Sequence, residues 1–181
     1  LQRQKWETAE AIIKKTEFLD AKNNLGMTPL HDMCAHNCAV PTVYDNPQLH
    51  NVLGMFKLLV EKGADVNTTD IHKFTPIMEV LRKNYCVLSK YLVKRGANLS
   101  ATNVLGEKSL HTAISRQEEQ HTVTWIVSNQ EVQINTADYF NQTALHLACI
   151  HGYSHLSSIL RELGGDPLAK DRNWITPLAH A

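Results

Sequence analysis

The chain repeats one short element at nearly constant spacing, and this feature restricts its fold more than any other. The copies read Thr-Pro-Leu-His or a close variant, and they begin at Thr28, Thr75, Lys108, Thr143 and Thr176. Their starts lie 47, 33, 35 and 33 residues apart, which gives a period of 33 with insertions of 14 and two residues. A unit this short cannot bury its own apolar face, so the copies must stack and share one core.

A second element keeps the same register. It reads Gly-Ala-Asp-Val-Asn at residues 63–67, and it returns at 96–100, in degenerate form at 130–135, and at 164–168. Glycine suits the end of a helix, whereas threonine followed by proline suits the start of one. An Asp or Asn also stands five residues before each of the five starts.

The two elements together resemble the ankyrin repeat over essentially the whole chain. The resemblance implies an all-α solenoid of stacked helix-turn-helix units joined by β-hairpin-like loops. We expect a single domain fragment with a partial repeat at 1–22, a repeat with the 14-residue insertion at 23–69, a repeat at 70–102, a degenerate repeat at 103–137, a repeat at 138–170 and a partial repeat at 171–181. Both ends would expose faces that normally pack on a neighbour, which predicts a longer parent protein.

Composition restricts the possible partners. The chain has 18 basic and 18 acidic residues, and a formal net charge of zero argues against direct binding of nucleic acid. No apolar run approaches the roughly 18 residues that span a bilayer, so no membrane contact is expected within this fragment. Four cysteines without a small-domain disulfide spacing favour a reducing compartment, and we expect the cytoplasm or the nucleus.

Residues 34–38, Cys-Ala-His-Asn-Cys, resemble a metal site. On a helix, however, Cys34 and Cys38 share a face while His36 points nearly opposite, so three ligands could not converge. Tetrahedral zinc, the alternative, would need His50 and an unwound helix end. By register Cys34 takes a position where the family prefers a small buried residue. We therefore predict a structural cysteine, with no metal and no cofactor.

The sequence contains no Gly-rich phosphate loop, nucleophile elbow or His-Glu-x-x-His motif, so no catalytic residue is predicted. The resemblance implies a non-catalytic protein–protein interaction module. One alternative is the recognition or scaffolding domain of a larger multidomain enzyme, ubiquitin ligase or channel. Another is an inhibitor or cofactor of a transcription factor, because residues 146–153 resemble inhibitor-of-NF-κB-like ankyrin proteins.

The resemblance places the binding of a partner protein or peptide in a concave groove, lined by hairpin tips and first helices. By register the tip residues are Leu25, Met27, Ile71, His72, Phe74, Leu105, Tyr139 and Phe140, and the helix residues are His36, Arg82, Lys83, Arg116 and His151. Turn tips are usually polar, so an apolar row there predicts an interaction site. The basic residues favour a partner with acidic residues among apolar anchors. The alternative is that neighbouring tips pack against each other.

Two further features remain open at the sequence level. Asparagines in this hairpin can be hydroxylated by an oxygen-sensing dioxygenase in the family, and residues 59–67 resemble such a target at Asn67. The alternative is that Asn67 only forms hydrogen bonds within its hairpin. The insertion near residues 37–50 separates two helices, because Pro41 and Pro47 interrupt them, and its role is undecided.

Overall fold

The computed structural model describes residue 15 and residues 17–36, 47–83, 86–114, 120–129 and 132–181. Within these ranges the helices are α1 (Pro29–His36), α2 (Pro47–Glu61), α3 (Pro76–Arg82), α4 (Cys86–Lys94), α5 (Ser109–Ile114), α6 (Gln120–Val127), α7 (Ala144–Ile150) and α8 (Ser154–Glu162), followed by a 3-10 helix η1 (Pro177–His180). Extended pairing in the described part is limited to an isolated bridge between Ala137 and Thr143. The predicted all-α architecture is confirmed.

The helices form pairs that stack in chain order. The first helices pack on one another in the order α1, α3, α5, α7 and η1. Each of α1, α3, α5 and α7 also packs on the second helix of its own pair. One buried cluster runs continuously through the stack, with members such as Phe56, Ile77, Leu110, Ile126 and Leu160. The predicted solenoid is therefore present, because the core is shared between units instead of being enclosed in any one of them.

The threonines of the repeat starts differ in their contacts, and Thr143 forms a capping box with His146. Pro76 occupies the first position of α3, as expected, but the Thr75 side chain makes no capping hydrogen bond. In the first copy the Thr28 hydroxyl instead lies 2.9 Å from Nδ1 of His31. This threonine hydroxyl is therefore hydrogen-bonded to the signature histidine, three residues further along the chain.

That histidine joins one repeat to the next. Nδ1 of His31 accepts the backbone N–H of Thr28 at 3.3 Å, and its Nε2 lies 3.0 Å from the carbonyl oxygen of Phe74 in the following repeat. A backbone N–H can only donate, so Nδ1 carries no proton and Nε2–H donates to the carbonyl. The same link recurs from His111 to the Gln142 oxygen and from His146 to the Ile175 oxygen.

The second repeat lacks this link. Met78 stands in the histidine position and is fully buried. The hydroxyl of Thr75, which would have contacted the imidazole, is buried without a hydrogen-bond partner. A methionine therefore fills the space but leaves the polar group of the repeat start unsatisfied.

The histidine links predict that acid destabilises the stack. Burial lowers the pKa of both His31 and His111 below the ordinary value of 6.5. The unfolded chain therefore binds protons at a higher pH than the folded chain, so stability is full above pH 6.5 and falls as the pH decreases below it. Urea denaturation between about pH 7.5 and 5.5 should show this decline. A variant with both histidines replaced by methionine should show a flatter profile, and stability that rises on acidification would contradict the prediction.

The sequence predicts two irregularities, the insertion near residues 37–50 and the degenerate third repeat. The insertion lies mostly outside the described residues, and α2 begins at Pro47, where proline suits a first helical position. In the degenerate third repeat, the N–H of Val132 bonds to the carbonyl of Asn129. In the second repeat, which keeps the Gly-Ala element, the N–H of the corresponding Ala97 donates to the carbonyl of Leu92.

Candidate functional site: the row of hairpin tips

Each hairpin tip is organised by one carboxylate or amide oxygen. In the second tip, Oδ1 of Asp70 accepts the backbone N–H groups of His72 at 2.9 Å and of Phe74 at 2.8 Å. Asn23, Asn103, Asp138 and Asp171 make the same pair of contacts in the other four tips. Short side chains with a terminal oxygen can close such a turn, which explains the Asp or Asn five residues before each start.

Neighbouring tips are joined by backbone hydrogen bonds. The N–H of the second tip residue donates to the carbonyl of the third residue in the preceding tip. These bonds run from Ile71 to Leu25 (3.1 Å), Val104 to His72 (3.0 Å), Tyr139 to Leu105 (3.0 Å) and Arg172 to Phe140 (2.9 Å). The five tips therefore form one ladder with a fixed register along one edge of the stack. We call this edge, residues 23–27, 70–74, 103–107, 138–142 and 171–175, the tip row.

The tip row exposes apolar side chains as the sequence predicts. The exposed ones are Leu25, Ile71, Val104, Leu105, Tyr139, Phe140 and Trp174, while Met27 and Phe74 are half-buried. Contiguous exposure of this kind marks interaction surfaces. The structure thus brings the predicted tip residues together on one edge.

Packing of tip against tip, the competing explanation, also occurs. Gly106 has a φ of +78°, and a Cβ placed on it would lie 2.5 Å from Cδ1 of the Tyr139 ring. The ring therefore rests on the backbone of the preceding tip, yet Tyr139 is still 67% exposed. One face of this side chain is supported from below while the rest remains available to a partner.

The binding residues predicted on the helices differ in their exposure and in whether their charge is already paired. Arg82 is half-buried, and its Nη2 lies 2.7 Å from Oε2 of the buried Glu79, so its charge is matched within the molecule. Lys83 is half-buried at the end of α3. His151 is exposed, with its ring stacked on Tyr153 at 5.4 Å. Arg116 and the side chain of His36 lie outside the described residues.

Sequence reasoning missed Trp174 in the fifth tip. Its side chain is 78% exposed, and Nζ of Lys170 lies 5.1 Å from the centre of its ring. The backbone of Trp174 has a φ of +63°, which is uncommon for a bulky residue. The other tips have Gly, Lys, Gly and Asn at this position, so a tryptophan there was a signal in the sequence.

Asn67 bridges two repeats. Its Nδ2 donates to the carbonyl of Gly96 at 2.9 Å, and its Oδ1 accepts the N–H of Asn98 at 2.8 Å. The expectation that its side chain bonds within its own hairpin is therefore wrong, because both partners belong to the following repeat. Asn135 makes the same two contacts further along. Asn67 is exposed, and its hydroxylation stays a prediction.

The cysteine-rich segment is described only in part. Cys34 is fully buried in α1, in the place predicted for a small apolar side chain, whereas Cys38 lies outside the described residues. Across the described ranges, no three His, Cys, Asp or Glu side chains lie close enough together to hold a metal ion. In the same ranges, the helices are all too short or too polar to cross a bilayer.

Repeated helix pairs, a shared core and a ladder of tips define a helical repeat protein. A family model of three ankyrin repeats matches residues 48–138, and a single ankyrin-repeat model matches residues 140–172. The chain belongs to the ankyrin-repeat family.

The chain is similar to parts of much longer proteins. Over 125 residues it is 29% identical to the ankyrin repeat and KH domain-containing protein mask-1 of Caenorhabditis elegans, a match covering 69% of this chain and 5% of that protein. Over 133 residues it is 28% identical to palmitoyltransferase AKR1 of Lachancea kluyveri, covering 72% of this chain and 18% of that protein. Over 144 residues it is 23% identical to ankyrin repeat protein OPG189 of variola virus, covering 79% and 24%.

Proposed function

We propose that the chain is a non-catalytic docking module whose tip row binds a partner protein or peptide. Ankyrin repeats are generally protein–protein interaction modules. The observation that carries the proposal here is the ladder of backbone hydrogen bonds, which holds exposed apolar side chains from Leu25 to Phe140 in one line. Apolar side chains on an exposed edge cost solubility unless a partner covers them.

The construction of the tips favours binding without rearrangement. Each turn is closed by an Asp or Asn side chain, and each tip is bonded to its neighbour before any partner arrives. The backbone entropy of the edge is therefore already lost in the free protein, and a partner does not have to supply that free energy. Tyr139, braced against Gly106, is the best supported of the exposed anchors.

A test replaces Leu105, Tyr139 and Phe140 together with alanine. Binders selected from a displayed library of random peptides on the unsubstituted protein should lose roughly 100-fold or more in affinity for this variant, because clustered aromatic anchors dominate interfaces. The thermal midpoint should change little, since all three side chains are exposed. Phe74 and Arg82 are poor choices for this test, because both are half-buried.

The matched control replaces Val87 and Leu168 with alanine. Both side chains are apolar and exposed but lie outside the tip row. The control should leave the affinity of the selected peptides unchanged. A library that yields no binder, or binders that tolerate the triple variant, would contradict the proposed function.

The chain covers only a small part of each relative's length, and this supports a second proposal that is compatible with the first. Because the chain spans 5 to 24% of the relatives described above, we propose that it serves as the recognition or scaffolding part of a larger protein. A catalytic parent is one form of this proposal, and a ubiquitin ligase or a channel would be others. Inhibition of a transcription factor, in the cytoplasm or nucleus, is the remaining alternative, and a DNA-binding assay with a candidate factor would test it.

A further inference from the structure

We infer that the C-terminal end of the tip row, with Tyr139, Phe140, Arg172 and Trp174 and the adjacent Lys170, receives the acidic residues of an extended partner segment. This inference rests on the proposed function, since it concerns the same edge. The sequence alone placed the acidic contact at the basic residues of the first helices. Arg82 there already pairs with Glu79, so we place the contact at the tips instead.

The apolar side chains of the tip row change character along its length. The first three tips expose aliphatic side chains, Leu25, Ile71, Val104 and Leu105, whereas the last two expose Tyr139, Phe140 and Trp174. Aromatic rings offer both a large apolar surface and a face that attracts cations. The two ends therefore suit different parts of a partner, which gives the bound segment a direction.

Positive charge accompanies the aromatic end. Lys170 and Arg172 are both exposed, and the Lys170 ammonium lies 5.1 Å from the centre of the Trp174 ring. Among the aliphatic tips and the residues just before them, the exposed lysines are Lys22 and Lys73, and Lys22 already donates to the carbonyl of Thr69 at 2.7 Å. Arginine can hold a carboxylate with two parallel hydrogen bonds, so this end is equipped for an acidic side chain.

The acidic groups of the described tips are occupied or buried, and so do not neutralise this end. Asp138 and Asp171 are buried and accept backbone N–H groups, and Oδ2 of Asp171 also lies 2.9 Å from Nε2 of His180. Oε2 of the half-buried Glu107 accepts a hydrogen bond from Asn103 at 2.6 Å. Lys170 and Arg172 therefore have no exposed carboxylate near them within the tip row. An acidic residue of a partner would supply that carboxylate.

The fourth and fifth tips hold these groups as one surface. The Arg172 N–H donates to the Phe140 carbonyl at 2.9 Å, and Nδ2 of Asn141 donates to the carbonyl of Lys170. One backbone bond and one bond from the Asn141 side chain therefore tie the backbone of the two cations to the aromatic fourth tip. A segment with aliphatic residues toward Leu25 and with aromatic and acidic residues toward Trp174 would complement the whole row.

The test is a selection of displayed random peptides on the unsubstituted protein, followed by measurement of affinities for variants. Enriched peptides should be rich in Asp or Glu next to apolar residues. The variant Lys170→Glu with Arg172→Glu should weaken them roughly 10- to 100-fold, and added salt should weaken binding to the unsubstituted protein. The control Lys62→Glu with Lys94→Glu makes the same charge change at exposed sites outside the tip row and should have little effect.

The outcomes separate the two proposals. Peptides that need the apolar tips but show no acidic enrichment, or that tolerate the double glutamate variant, would overturn this inference and leave the proposed function intact. Loss of dependence on the apolar tips would overturn both. Phosphatidylserine vesicles or single-stranded RNA that bind through Lys170 and Arg172, with no acidic peptide enriched, would also overturn it.

Discussion

Replacing His31 with alanine should lower the free energy of unfolding by about 3 kcal/mol. The imidazole is fully buried between two repeats and is bonded at both nitrogens. Its removal leaves a cavity, and it also deprives the Thr28 N–H and the Phe74 carbonyl of their partner. Because the lost bond to Phe74 crosses between repeats, the effect should appear in urea denaturation as loss of coupling between them as well as loss of stability.

A second substitution at the same site separates the two causes. His31→Met keeps most of the volume but loses the hydrogen bonds, as Met78 does naturally in the second repeat. It should cost about 1 to 2 kcal/mol, less than alanine. His72→Ala at an exposed tip is the control and should stay within about 0.5 kcal/mol of the unsubstituted protein. Equal costs for methionine and alanine would show that the cavity contributes little.

The parts of the fold that sequence alone could predict are those with a local physical cause. Proline after threonine requires a helix start, and an Asp or Asn five residues earlier closes a turn within reach of its own side chain. Such causes repeat with the period and can be counted along the chain. The helix pairs, the tips and the buried position of Cys34 follow from them.

Contacts between repeats were harder to predict, because their partners lie about thirty residues away. The Asn67 side chain bonds to Gly96 and Asn98, which stand 29 and 31 residues further along the chain. Arg82 is a different case, because its partner Glu79 lies three residues earlier on the same helix, at a spacing that the sequence does show. Trp174 was missed because the fourth residue of each tip has a positive φ, a backbone position that favours Gly or Asn and was not counted among the binding positions.

Two leucines at the same place in the repeat signature should differ strongly in how much their replacement by alanine lowers the free energy of unfolding. Leu110 in α5 is 1% exposed between neighbouring repeats, whereas Leu178 in η1 is 78% exposed. Leu110→Ala should cost about 2 to 5 kcal/mol, because it empties a buried site that the surroundings fill only partly. Leu178→Ala should stay within about 0.5 kcal/mol. Equilibrium denaturation of both variants measures the difference directly.

This pair tests burial within the stack as the source of stability, since residue type and place in the repeat are the same. Leu110 lies in an α-helix that is covered by its neighbours, whereas Leu178 lies in the terminal 3-10 helix and is exposed. If Leu178→Ala were as costly as Leu110→Ala, burial between repeats would not set the cost and the description as a shared-core stack would be wrong. If both were mild, the stack would be loosely packed around α5, and the register of the tip row would lack the rigid support on which its proposed binding role depends.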